Sequence, residues 1–298
     1  MSAHLYRPAG TTGDGDHVVD LTPESAGWAF SGLTVVDLAP AADHRVATGP
    51  DEVVVLPLQG SFVVECEGER IELTGRPHVF AGPSDFVYLP IGADAVVSSS
   101  AGGRFAMPRA RAGRRLPVRY GPASEVPVEL RGAGACSRQV NNFCTPDAFE
   151  ADRLIACEVL TPGGNWSSYP PHKHDQAGPS ESELEEIYYF EVAAAKGSDG
   201  VAYHRVYGSP ERPVDVLAEV RSGDVVLVPH GWHGPSMAAP GYDLYYLNVM
   251  AGPGAERAWL ICDDPAHAWV RDTWAGTPVD PRLPFGRDAG AGHEGARA

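Results

Sequence analysis

The chain has 298 residues, 43% of them hydrophobic, which is enough for one large β-rich domain or two smaller ones. Its formal net charge of -16 argues against nucleic acid or an anionic membrane as a partner. No apolar run is long enough to span a bilayer. The five cysteines are scattered, odd in number and without a CxxC pair, which argues against a disulfide framework or a thiolate zinc site.

The N-terminal stretch "MSAHLYRPAGTTGDGD" is polar and has no basic segment leading into an apolar one, so a cytoplasmic protein is expected. Short apolar runs then succeed one another, cut by Gly and Pro: "EVVVLPLQG", "SFVVECEG" and "DFVYLPIGADAVVSS" in the first half. The basic, Pro-rich segment "MPRARAGRRLPVRYGPASEVP" reads as a connector, or as a strand donor to the sheet of the second half. Beyond it come "VPVELRG", "DRLIACEVLTPGG", "EIYYFEV", "VAYHRVYG", "VDVLAEVRSGDVVLVPHG" and "DLYYLNVMAGP". Their Val, Tyr, Phe, Leu and Ile content and their Gly, Pro, Asp and Asn borders predict strands. No long segment keeps a helical period, so the fold class is all-β, a sandwich or small barrel.

A faint repeat divides the chain. "GPSDFVYLPIGADAVV" parallels "RSGDVVLVPHGWHGPS": each has an Asp, an apolar strand, then Pro-x-Gly. This predicts two related β-domains, over residues 1–125 and 126–275. A Gly/Ala/Pro-rich tail, 276–298, is expected to be flexible, its last dozen or so residues disordered.

The chemistry concentrates in the second copy. His172 and His174 in "YPPHKHD" project from one side of a strand, because strand side chains alternate. Glu185 or Glu186 could reach the same point, and His233 in "VPHGWHGP" lies beyond a further strand and turn. Three imidazoles and a carboxylate are a divalent-metal set that leaves a coordination position open. Each histidine alone could be an ordinary surface residue; the combination is what carries the reading. The first copy has no equivalent His after Pro90-Ile91-Gly92.

These motifs resemble the cupin metal signature, HxH and Glu followed by Pro-x-Gly and His. More specifically, "RGAGACSRQVNN", "EVLTPGGNWSSYPPHKHD", "LEEIYYF", "HRVYG", "GDVVLVPHGWH" and "GYDLYYLNVMAGP" are similar to the 5-deoxy-glucuronate isomerase family of inositol catabolism. "HVVDLTPESAGWAFSGLTVVDLAP" fits as well, so the likeness spans roughly residues 15 to 275. One departure is His230, where the family more often has a basic residue.

The resemblance implies a bicupin, two tandem cupin barrels of double-stranded β-helix type, the first degenerate and the second holding metal. It implies an aldose–ketose isomerase converting 5-deoxy-D-glucuronate to 2-deoxy-5-keto-D-gluconate. The cupin pattern selects Glu186 over Glu185 and His233 over His230, giving His172, His174, Glu186 and His233 as ligands. The ion would be zinc first, with Mn, Fe, Co and Ni accepting the same donors. Glu186 and Tyr188, on one strand face, are the catalytic candidates. Arg138, Arg205, Lys173 and Tyr246 are the candidates for holding the sugar acid, since guanidinium binds carboxylate bidentately. Lys173 projects away from the imidazoles, which slightly favours a solvent role for it. Two other readings stand beside this one: a cupin dioxygenase and a non-catalytic sugar-acid-binding cupin. A homo-oligomer is expected, because sheet edges of such folds need covering.

Overall fold

The computed structural model describes residues 3–286 of the chain. Strands dominate, as the short apolar runs between turn residues require, and they form two barrels in tandem. No helix among the described residues is long and apolar enough to cross a membrane.

The long strand Asp51–Cys66 organises the N-terminal barrel. Its first part pairs with Gly103–Arg111 and its last part with Glu69–Arg76 and Asp94–Ser99. The turn between these roles falls at Gly60, φ +96°, where a Cβ would lie 2.8 Å from the Gly102 carbonyl oxygen. Only glycine tolerates both constraints. One strand therefore serves both walls of the barrel.

In the C-terminal barrel, one wall orders Val225–Val228, Glu185–Val192, Leu244–Ala251, Ile155–Thr161, Arg138–Cys144 and Val128–Arg131. The facing wall runs Asp215–Val220, Ala202–Tyr207, Trp232–Ala238, His172–Lys173 and Cys262–Asp263. Tyr6–Arg7 does not stay with the N-terminal barrel: it pairs with Val225–Val228, Tyr6 opposite Val226. The segment expected to be loose is fixed as far as it is described. The Phe285 N–H donates to Gln139 (2.7 Å), the Asn165 side chain donates to Asp280 (3.0 Å), and Leu283 is buried. The final dozen or so residues, expected to be disordered, include 287–298, which lie outside the described residues.

Alternation along Glu185–Val192 assigns the two faces of the central wall. Glu186, Tyr188 and Phe190 point into the C-terminal barrel, where Tyr188 and Phe190 pack on His204. Glu191 points to the N-terminal barrel and meets Arg104 at 3.1 Å. Carboxylates tie the halves together through backbone amides. Glu185 accepts from Ala29, Phe30 and Ser31 N–H at 2.8, 2.9 and 3.0 Å. Glu52 accepts from Asp152, Arg153 and Leu154 N–H at 2.8, 2.6 and 2.6 Å. A carboxylate bound by several amides satisfies donors that would otherwise be orphaned.

Candidate metal centre

His172 lies directly opposite His233 in the antiparallel pair, with ring centroids 4.4 Å apart. His174, two residues on, points the same way, its ring 4.7 Å from that of His233. Nitrogens of all three imidazoles lie within 4.8 Å of one another. Glu186 closes the group from the opposite wall: its Oε2 is 3.0 Å from His174 Nε2 and 3.0 Å from His233 Nε2. His174, Glu186 and His233 are 2%, 2% and 1% exposed.

The second nitrogen of each inner imidazole fixes what the first can do. His174 Nδ1 faces the Leu184 carbonyl at 3.3 Å and His233 Nδ1 faces the Gly231 carbonyl at 3.1 Å. Carbonyl oxygens only accept, so both Nδ1 atoms carry the proton. When neutral, both rings then present Nε2 lone pairs to one carboxylate oxygen. Acceptors aimed at an acceptor repel in a buried site unless a positive charge lies among them. His233 Nε2 makes no hydrogen bond although it is buried. Donors that bind one ion at about 2.1 Å sit about 3 Å apart when they subtend a right angle. The four residues therefore fit a divalent cation. The Nδ1–H to backbone carbonyl contacts are the usual outer support of metal-binding histidines.

The electrostatics agree. Burial pushes the Glu186 carboxyl up, but His233 and then His174 outweigh it and hold the acid well below the usual carboxylate range. Burial pushes the His174 imidazole down, but Glu186 outweighs it and raises it, so this point in the barrel attracts positive charge. Burial, reinforced by His233 and His174, keeps His172 neutral.

Around this group the barrel is polar. Ser168, in the left-handed region at φ +47°, places its hydroxyl 3.2 Å from Tyr188 OH and 3.0 Å from Tyr246 OH. Burial raises both phenols. Gly234 makes room for this turn: a Cβ there would meet the Ser168 carbonyl oxygen at 1.8 Å. Arg138 is 7% exposed and has no carboxylate partner among the described residues; its Nη1 donates to the Cys136 and Tyr169 carbonyls at 3.1 and 3.4 Å. Burial lowers its guanidinium to about 10, and its charge is felt at both Tyr246 and His172.

The remaining candidates lie elsewhere. Lys173 Nζ is bound by Asp175 at 2.7 Å and Glu181 at 2.7 Å, and stacks over Trp232. Arg205 shares the outer face of its strand with Tyr203 and Tyr207 and pairs with Asp215. Glu185 is committed to the amides of the N-terminal barrel. His230 stands outside the cluster.

Two inward residues are not among the candidates that the sequence singles out, although both lie inside the quoted stretches "HRVYG" and "GYDLYYLNVMAGP". His204, fully buried, faces Ser236 Oγ through Nδ1 at 2.8 Å, while its Nε2 has no partner. Burial lowers it to about 3, so it is neutral. Asn248, opposite Tyr188 in register, has a buried and unpaired Nδ2. Unsatisfied polar groups facing the interior of a barrel mark a place for solvent or ligand.

The model of the KduI/IolB family matches residues 4–270. The 5-deoxy-glucuronate isomerase of Geobacillus kaustophilus is 42% identical over 274 residues, covering 91% of this chain and 96% of that protein. The protein of the same name from Bacillus subtilis strain 168 is 34% identical, covering 85% and 92%. Among solved structures, an IolB-like protein from Salmonella typhimurium superposes with a TM-score of 0.82 at 33% identity, covering 89% of this chain and 98% of that one. Oxalate decarboxylase from Bacillus subtilis, at 12% identity and a TM-score of 0.59 over 87% of this chain and 78% of its own, shares the fold. This chain belongs to the KduI/IolB family.

Proposed function

We propose that this member of the KduI/IolB family is a metal-dependent aldose–ketose isomerase acting on 5-deoxy-glucuronate in inositol catabolism. The relatives' shared activity supports the reaction. The observation that carries the metal is the meeting of two Nδ1-protonated imidazoles at one Glu186 oxygen.

His172, His174, Glu186 and His233 would hold the ion, zinc before Mn, Fe, Co or Ni. When bound, it would supply Lewis-acid polarisation of the sugar's carbonyl and hydroxyl oxygens, which acidifies the adjacent C–H. Arg138 is the residue for the substrate carboxylate, because it alone among the basic candidates is buried on this side without an acidic partner. The guanidinium fork matches a carboxylate, and its buried position strengthens the pairing. Isomerisation then needs one proton moved between C1 and C2 and another between their oxygens. Glu186 would accept the first on releasing the ion, since a carboxylate bound to a cation is a poor base. Tyr188, kept protonated and linked through Ser168 to Tyr246, is placed to hold and pass the second. Burial of this wall excludes water from the reacting carbons.

An isomerase assay on 5-deoxy-glucuronate, with metal analysis of the wild type and of His174→Ala, tests the proposal. Turnover by the wild type, lost together with metal in the variant, is the expected result. Full turnover by a verified metal-free protein would refute the metal's role. Bound metal with oxygen uptake, or with no turnover, would replace the isomerase by an oxygenase or a sugar-acid-binding protein.

A further inference from the structure

We propose a second divalent-cation site on the N-terminal barrel, formed by Asp16, His17 and His44. Their donor atoms all lie within 4.8 Å of one another. His44 Nδ1 is 3.6 Å from Asp16 Oδ2, longer than a good hydrogen bond, and the two imidazoles pack edge to face with centroids 5.2 Å apart. The three side chains thus converge without closing on one another, which leaves donor capacity for a ligand.

The placement explains what such a site would do. His17 opens the strand His17–Leu21, which ends one wall of the barrel. His44 sits on Ala42–Ala47, which among the described residues pairs only with Asp94–Ser99 and ends the other wall. Both are edge strands, so the open seam between the walls lies between them. His44 is anchored by packing against Phe105, ring centroids 5.9 Å apart, and its side chain is 13% exposed. Asp16 is 52% exposed, and a rotation of its side chain would bring its oxygens to the spacing of a bound ion. Two imidazoles and a carboxylate with open positions suit Zn, Co, Ni or Fe(II). The strongly acidic chain concentrates cations at its surface. A bound ion would clip the two edge strands together and favour the folded state over the unfolded one.

Titration with Co(II), whose visible spectrum reports imidazole coordination, tests this on the full chain. The wild type, stripped of metal, is expected to take two equivalents. His17→Ala and His44→Ala are each expected to take one, and His174→Ala one. His44→Ala with His174→Ala combined is expected to take none. Asp16→Asn is expected to weaken the N-terminal equivalent at least tenfold. The thermal midpoint of His174→Ala should rise with added Co(II), and that rise should vanish when His17→Ala is added. Should His44→Ala unfold, His17→Ala, on the other edge strand, carries the same test. Identical uptake by wild type, His17→Ala and His44→Ala would overturn the proposal.

Discussion

Arg76 and Glu158 form an ion pair across the seam between the two barrels, with side chains only 3% and 1% exposed. Arg76 comes from the N-terminal barrel and Glu158 from the central wall of the C-terminal one. The remaining capacity of the pair is used. The Asn141 side chain and Tyr245 OH donate to Glu158 at 3.0 and 2.8 Å, and Arg76 donates to the Pro57 and Gly82 carbonyls at 3.1 and 2.8 Å. Burial favours the neutral guanidinium, but Glu158 outweighs it and keeps Arg76 charged.

Removing one partner leaves the other charge buried and alone. Glu158→Ala should therefore cost about 3–5 kcal/mol of unfolding free energy. The double change Arg76→Met, Glu158→Leu should recover most of that loss, since no charge is then stranded. Denaturant unfolding of the three proteins checks it; a loss in the double variant equal to that of Glu158→Ala would contradict the account.

Arg138 should decide affinity for the acid group of the sugar. A hydrogen bond to a charged partner is worth about 1.5–3 kcal/mol, so Arg138→Lys should lower kcat/KM by roughly 10- to 150-fold. Arg205→Lys, on the outer face beside Asp215, should change it by less than about 2-fold, as for an ordinary surface change. Steady-state kinetics of both variants decide between the two arginines.

Gly234 stands beside His233 at φ +98° with the Ser168 carbonyl where a Cβ would lie. Alanine there meets both left-handed strain, roughly 1–2 kcal/mol, and a clash with backbone. Gly234→Ala should destabilise the protein by more than that strain alone and weaken metal retention, because His233 and the Ser168 turn must both shift. Gly241→Ala provides the control: φ is +87° there, but no atom lies within 4 Å of the added carbon. Equal losses in the two variants would mean that strain, not the clash, dominates.

His204 should give the fold an acid limit. Its pKa is about 3 when folded against an ordinary 6.5, so between these values the unfolded chain binds the extra proton. Stability then falls as pH drops from 6.5 toward 3, by up to about 1.4 kcal/mol per unit from this group. His204→Gln should flatten that slope relative to the wild type. Unfolding free energies at a series of pH values between 4 and 7 measure it; parallel curves would rule His204 out.

Much of the candidate ligand set is legible in the sequence because its signals are local. An HxH on a strand, an acid opening a strand and a His after Pro-x-Gly each fix a direction over a few residues. Alternation also carries Tyr188 to the same side as Glu186. The same rule, applied to "AYHRVY", separates His204 from Arg205, but only the partner strands reveal which side is the interior. Asn248 is hidden by its surroundings, a polar residue inside the apolar run Leu244–Ala251. Lys173 is legible as pointing away, and the structure supplies the reason: Asp175 and Glu181 hold it. The pairing of Tyr6–Arg7 with Val225–Val228 is not legible, because two residues carry no periodicity. Nor is the ordering of 276–286, which depends on side chains such as Gln139 and Asn165 far away in sequence.

The strand Tyr6–Arg7 sets an order of events during synthesis. Tyr6 OH donates to Asp224 at 2.8 Å across a sequence separation of 218 residues. At roughly 5–20 residues per second, a ribosome needs on the order of 10–40 s to deliver the second after the first. Through that interval Tyr6–Arg7 has no partner in its final sheet. The N-terminal barrel can close around its own strands meanwhile, leaving this segment unpaired. The C-terminal barrel must then recruit a strand made well before its own, so its completion doubles as a check that Tyr6–Arg7 has remained available.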